Sequence, residues 1–209
     1  MVTMLQTKVS IILPYSKDRG YLDKAIESIH NQNFAGDIEI IHSKSNNGVS
    51  YNLNRGIEIA TGDFVKYLCD DDMLTPNSLH DSVQSIQHFD FIHGKAINFY
   101  PNGKRDIYTP RVPFPNLKQM LQSNVIHGGS LMYRRDVFER FNVWFDESLT
   151  CAEEYDLNMN LLSKGALLGY CNSTLYLYRR HDEQKSLGKG IDQNARAIKI
   201  QAIKDRYGY

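Results

Sequence analysis

The sequence predicts an α/β fold, a mixed and mostly parallel sheet flanked by helices, and three observations predict it. Short apolar segments and amphipathic ones alternate as β-α-β-α-β over roughly the first 70 residues. The opening segment, KVSIIL, is close to a continuous apolar run, as expected of a strand buried on both faces. Pro14-Tyr15, the loop SKSNN and three consecutive aspartates each follow one of the three strands, at the carboxyl ends where such sheets bind ligands.

Along the chain, residues 8–13 form the first strand, which Pro14 ends. In GYLDKAIESIHNQ, Leu22, Ala25, Ile26 and Ile29 share one helical face. DIEIIH is the second strand. In GVSYNLNRGIEIA, Val49, Leu53, Ile57 and Ala60 align on a helix that Gly62 stops. DFVKYLC is the third strand and opens into Asp70, Asp71 and Asp72. Thr75-Pro76 reads as the cap and first position of a helix carrying Leu79, Val83 and Ile86. FDFIHGKAINFY and KRDIYTPRV flank the Asn-Gly turn of PNGK as a hairpin. FPNLKQMLQSN is a short helix, VIHGGSLMYRR a strand interrupted by two glycines, and RDVFERF a helical segment. EEYDLNMNLLSKG is an amphipathic helix, ALLGYCNSTLYLYRRH a strand pair, and GIDQNARAIKIQAIKDRYG a final helix. With no repeat and no linker, residues 1–209 read as one domain.

Composition excludes several classes. Lys+Arg and Asp+Glu both number 24, a formal net charge of zero, which argues against an electrostatic nucleic-acid binder. Cys69, Cys151 and Cys171 form no paired framework and no zinc-type spacing, which suits a reducing compartment. MVTMLQTKVS lacks the layout of a signal peptide, and no apolar run approaches a transmembrane span. The expectation is a soluble, cytoplasmic protein.

Three adjacent like charges at a strand end repel one another. They read either as a solvated turn or as a site where a divalent cation turns the repulsion into chelation. The other loops that gather at the same sheet edge favour the cation.

Taken together, VSIILPYS, NNGVSYNLNRGIEIATGDFVKYL, CDDDMLTP, IHGGSLMYRRDVF with WFDES, EEYDL and YRRHDEQKS come in the order of, and resemble, the GT-A glycosyltransferases of the inverting family 2. The resemblance covers roughly residues 8–186. It implies a GT-A, Rossmann-like fold with a nucleotide-sugar-binding half over about residues 1–100 and an acceptor-side half over about 101–209. It implies a nucleotide-diphosphate sugar donor, most simply a UDP-sugar, with Mn²⁺ or Mg²⁺ stabilising the diphosphate leaving group. A glycan, glycoprotein or glycolipid hydroxyl is the implied acceptor, and the chain can be one piece of a longer enzyme.

The resemblance also suggests roles. Asp71 and Asp72 are favoured for the metal, with Asp70 there or on the ribose. Two registers of the motif stay open, Cys69 with Asp71 or Asp70 with Asp72; strand alternation would put Asp70 and Asp72 on one side. His181 is a candidate for the metal or the diphosphate, and Arg179, Arg180 and Lys185 for phosphate charge. Glu154 falls where the family has its catalytic Asp and is the candidate base, with Glu153 beside it; both also suit a helix start. His127, Gly128, Gly129 and Trp144 are candidates for the sugar side, the glycines by letting a sugar approach the backbone. Pro14, Tyr15, Ser43, Asn47 and Asn54 are candidates for the nucleotide. Ser43 stands where the family usually has a base-reading Asp, which leaves the identity of the base open. The alternatives are a nucleotidyltransferase, for which PYSKDRGY is a poor match, and a non-catalytic nucleotide-sugar-binding module of the same fold.

Overall fold

Strand β1 (Lys8–Tyr15) is the first strand and is buried along most of its length. Val9, Ile11, Ile12 and Leu13 are fully buried, because β1 lies between β2 (Asp37–Lys44) and β3 (Phe64–Tyr67), parallel to both. The structure is a computed structural model, and it describes residues 7–182, 184 and 192–208. β1 runs through Pro14 instead of ending there, and Pro14 pairs in register with Ser43. The Leu68 N–H donates to Ile12 O, so Ile12 and, two residues on, Pro14 face the β3 side. The β3 ladder stops at Ile12 and Tyr67, so the missing proline N–H breaks no sheet bond.

Between these strands lie α1 (Leu22–His30) and α2 (Val49–Ile59). After β3 come the short β4 (Met73–Leu74) and α3 (Ser78–Ser85). Thr75 is not the cap of α3. Its hydroxyl donates to Thr174 O (2.6 Å), and Ser78 N–H closes a turn on Thr75 O (3.0 Å). The expected hairpin is β5 (Phe91–Phe99) with β6 (Arg105–Tyr108), turning at Gly103 with φ 81°. Next come α4 (Leu117–Gln122), β7 (Met132–Arg134), α5 (Val137–Arg140), α6 (Glu153–Ser163), β8 (Leu168–Arg179) and α7 (Gln193–Gly208). Asn116 and Gln119 form a reciprocal capping box at the start of α4.

The sheet order is β2-β1-β3-β7-β5-β8-β4, with β6 on β5. The long ladders (β1–β2, β5–β8) are parallel, and the short β7 joins the two halves antiparallel to β3 and β5. ALLGYCNSTLYLYRRH is one strand, not two. Asn172 and Ser173 look like a turn, but they are absorbed by a bulge where Gly94 pairs with Cys171 and Lys95 with Thr174. Val9, Ile11 and Leu13 face a core under α1 and α3. Ile12 faces the opposite core, formed with α2, α4, α6 and α7. No helix among the described residues is long and apolar enough to cross a membrane.

Candidate active site

The carboxyl ends of β1 and β3 open on a cleft of about 540 Å³, within the range of small-molecule sites. Its floor is Pro14, Val49, Leu53, Tyr67 and Phe145. The aspartates form one wall and Glu153–Glu154 another.

β3 ends at Tyr67, so the aspartates sit in a turn closed by Asp72 N–H on Cys69 O (3.2 Å), and strand alternation does not apply to them. Cys69 Sγ and one oxygen each from Asp71 and Asp72 lie within 4.8 Å of one another. Asp70 is instead gripped by Arg19, whose NH2 and Nε approach its two oxygens at 2.7 and 3.2 Å. Burial, and then the three aspartate charges, push the Cys69 thiol well up, so it stays protonated and suits a hard cation poorly. The donor set that fits a divalent cation is therefore Asp71 with Asp72.

Both residues are firmly held. Asp72 is buried; Oδ1 accepts from Arg179 N–H (2.7 Å) and Oδ2 from the Tyr176 hydroxyl (2.9 Å). Burial and the neighbouring Asp71 charge push its pKa well up, against the pull of those two donors. A cation at this carboxylate would favour the ionised form. Asp71 Oδ2 meets both Arg19 and His181 Nε2 at 3.0 Å.

Opposite stands the start of α6. Ala152, just before it, is held at φ 59°, in the left-handed region that an L-residue enters at a cost. Glu154 is half-buried at the cleft wall. Burial, then the charge of Glu153, raises its pKa to about 7, against its own backbone N–H and Arg196. A carboxylate so poised can accept a proton near neutral pH.

The two glycines serve the protein's own side chains. A Cβ on Gly128 would lie 2.8 Å from Glu154 Cγ and Oε1, and one on Gly129 would lie 2.2 Å from the Tyr176 ring. They form a single 3-10 turn (Gly128–Ser130), not a strand bulge. The buried Lys66 ammonium ties that turn down through Gly129 O (3.2 Å) and Leu131 O (3.0 Å). His127 lies among the rings of Tyr108, Tyr176 and Tyr178. Burial, then Arg180 and Lys66, lower its pKa to about 4, so it is neutral at pH 7.

Of the residues expected here, Pro14, Asp70, Asp71, Asp72, His127, Gly128, Gly129, Glu153 and Glu154 line the cleft, and His181 reaches it through Asp71. Several others do not line it. Arg179 is stacked between Tyr21 and Phe99 and donates through Nε to Asp71 O (2.8 Å), bracing the turn from behind. Tyr15 turns to His42 and Lys44 on β2. Ser43 is buried in β2, and Asn47 lies exposed in the loop after it. Asn54 exchanges two hydrogen bonds with the Phe145 backbone (2.9 and 3.0 Å), so it ties α2 to the cleft floor. Trp144 packs on Phe138 at the edge of the core. Lys185 lies outside the described residues.

Arg180, a sequence candidate for phosphate charge, also lines the cleft, and Arg19, Tyr176 and Tyr178 line it without having been singled out for it from the sequence. The period-two spacing of Tyr176, Tyr178 and Arg180 was the available signal for one strand face. Arg19 carried none beyond its place after β1.

Residues 24–141 match the family described as Glycosyl transferase family 2. The chain belongs to glycosyltransferase family 2. Among family relatives, an uncharacterized glycosyltransferase of Rickettsia conorii is 27% identical over 88% of this chain and 36% of its own length. The GalNAc(5)-diNAcBac-PP-undecaprenol beta-1,3-glucosyltransferase of Campylobacter jejuni is 32% identical over 37% of this chain and 34% of its own. The chain thus spans about a third of the length of these two curated relatives. Among solved structures, S. aureus TarS 1–349 in complex with UDP aligns with a TM-score of 0.68 at 16% identity, over 94% of this chain and 65% of that one. The mannosyltransferase PcManGT from Pyrobaculum calidifontis, in complex with GDP-Man and Mn²⁺, aligns at 0.63 and 11%, over 87% and 59%. These likenesses show the GT-A fold of the family.

Proposed function

We propose that this family 2 chain carries the catalytic site of an inverting, metal-dependent glycosyltransferase that takes a nucleotide-diphosphate sugar, with UDP as the nucleotide. The observation that carries the reading is the pairing of two unlike acidic groups in one cleft. Asp71 and Asp72 are wrapped in donors from Arg19, Tyr176, Arg179 and His181, whereas Glu154 stands beside Glu153 with its pKa raised to about 7. Two structural neighbours support it further: TarS in complex with UDP-GlcNAc for the donor, and PcManGT in complex with GDP-Man and Mn²⁺ for the ion.

Asp71 and Asp72 would hold the cation, which when bound neutralises the diphosphate leaving group. Pro14, Val49 and Leu53 offer an apolar floor to the nucleotide. Glu154 takes the proton of the acceptor hydroxyl as that oxygen attacks the anomeric carbon, and Glu153 keeps the base's pKa high. In-line attack inverts the anomeric centre. We assign the donor to about residues 1–100 and the acceptor, a glycan or glycoconjugate hydroxyl, to the later half. The free cysteines Cys69, Cys151 and Cys171 support a cytoplasmic setting.

Glu154→Gln tests the assignment. Donor affinity, read by calorimetry at saturating Mn²⁺, should hold, while transfer falls by roughly 10²–10⁴-fold. Asp72→Asn should lose both together. Transfer at the parent rate in Glu154→Gln would remove it as the base. A parent protein that binds donor but never transfers sugar would be a non-catalytic module.

A further inference from the structure

Arg19 is a cation of the cleft to which the mechanism above gives no role, and it is the one that pairs directly with the aspartates. It stands in the loop between β1 and α1, lines the cleft, and straddles two of the three aspartates. Nε and NH2 take both oxygens of Asp70, and the same NH2 reaches Asp71 Oδ2 at 3.0 Å. Asp70 is 8% exposed and Asp71 14%, so this turn holds its counter-charge in a partly dry setting.

A divalent cation on Asp71 would stand next to that guanidinium, and like charges at such range repel strongly where water is scarce. The fork on Asp70 uses Nε and one NH2, which leaves the guanidinium further donors, and a guanidinium matches phosphate oxygens in geometry. The anion that would arrive with the cation is the diphosphate of the donor.

We propose that Arg19 is an exchangeable counter-charge, which gives up Asp71 to the divalent cation and turns to the diphosphate, and so couples the binding of the two. This rests on the reading of the cleft as a metal–nucleotide site. Coupling of this kind is reciprocal, so it can be read from either ligand.

The test is the Mn²⁺ affinity of the parent, Arg19→Met and Arg19→Lys by calorimetry, with and without UDP. With the competitor gone, Mn²⁺ alone should bind Arg19→Met about two- to fivefold tighter, the fold-change that corresponds to losing one partly exposed ion pair. The extra tightening that UDP confers should shrink in Arg19→Met, and Arg19→Lys, which keeps the charge but not the fork, should fall between. Melting curves identify folded variants, and Arg19→Lys alone decides the matter if Arg19→Met does not fold. Equal or weaker Mn²⁺ binding in the folded variants, or an undiminished gain from UDP, overturns the proposal while the reading of the cleft stands. No Mn²⁺ binding to the parent, with or without UDP, overturns both.

Discussion

Glu154 owes its properties to its neighbours, and two tests follow at the scale of this one residue. Its carboxyl titrates at about 7 in the folded chain, against 4.5 for an ordinary glutamate. As a base it must be ionised, so the transfer rate should climb with pH through about 7, and Glu154→Gln should lack that limb. Stability runs the other way. The folded chain holds this proton more tightly than the unfolded one, so the contribution is complete below pH 4.5 and lost as pH rises through about 7. The melting temperature of Glu154→Gln should therefore gain on the parent's between about pH 5 and pH 8. Gly128→Ala separates position from folding. The new methyl would press on the flexible end of Glu154, which can swing away cheaply. Thermal stability should change little, while turnover falls by about ten- to a hundredfold through misplacement of the carboxylate. Gly129→Ala would press on the buried Tyr176 ring, and there the fold itself should suffer.

At the scale of elements, the cleft floor depends on how α2 meets the segment before α6. Asn54 makes the join, with its amide paired to both backbone groups of Phe145 and its nitrogen also on Glu147 Oε1 (2.8 Å). Asn54→Leu keeps the volume but leaves those backbone groups unpaired. A loss of about 2–3 kcal/mol is expected, seen as a lower urea midpoint at unchanged slope. This residue shows why a role was harder to read from sequence than an element. Leu53, Ile57 and Ala60 reveal the helix by spacing alone, since burial obeys the helical period. Nothing local tells whether Asn54 meets a ligand or a loop 91 residues away. Likewise, Arg179 and Arg180 are chemically alike, and only the register of β8 puts Arg180 in the cleft and Arg179 behind it.

For the molecule as a whole, the β-α-β-α-β half was legible because each of its elements is built from near neighbours in sequence. The latter half was less so, because its joins are made by a three-residue β7, a bulged β8 and a 3-10 turn that no periodicity announces. The acidic walls could be read as residues, whereas their environments depend on contacts across the sheet, such as Tyr176 on Asp72 and Lys66 under Gly129. The test at this scale is thermal. A ligand that binds only the folded chain raises its stability by an amount that, above its dissociation constant, grows with the logarithm of its concentration over that constant. Mn²⁺ with UDP should raise the melting temperature by more than the two separate gains together, and Asp71→Ala should abolish that excess. An excess that survives in Asp71→Ala would place the ion elsewhere.

The bulge in β8 has a consequence for insertions and deletions. Beyond it, Tyr176, Tyr178 and Arg180 line the cleft, while Arg179, between them, reaches back to Asp71 O. Side chains alternate along a strand, so the parity of the bulge decides which set looks inward. Losing one residue between Cys171 and Thr174 would thus be a reading-frame error written in three dimensions. Every later side chain of β8 would change places with its neighbour, and the cleft would trade two tyrosines and an arginine for the wall's opposite face.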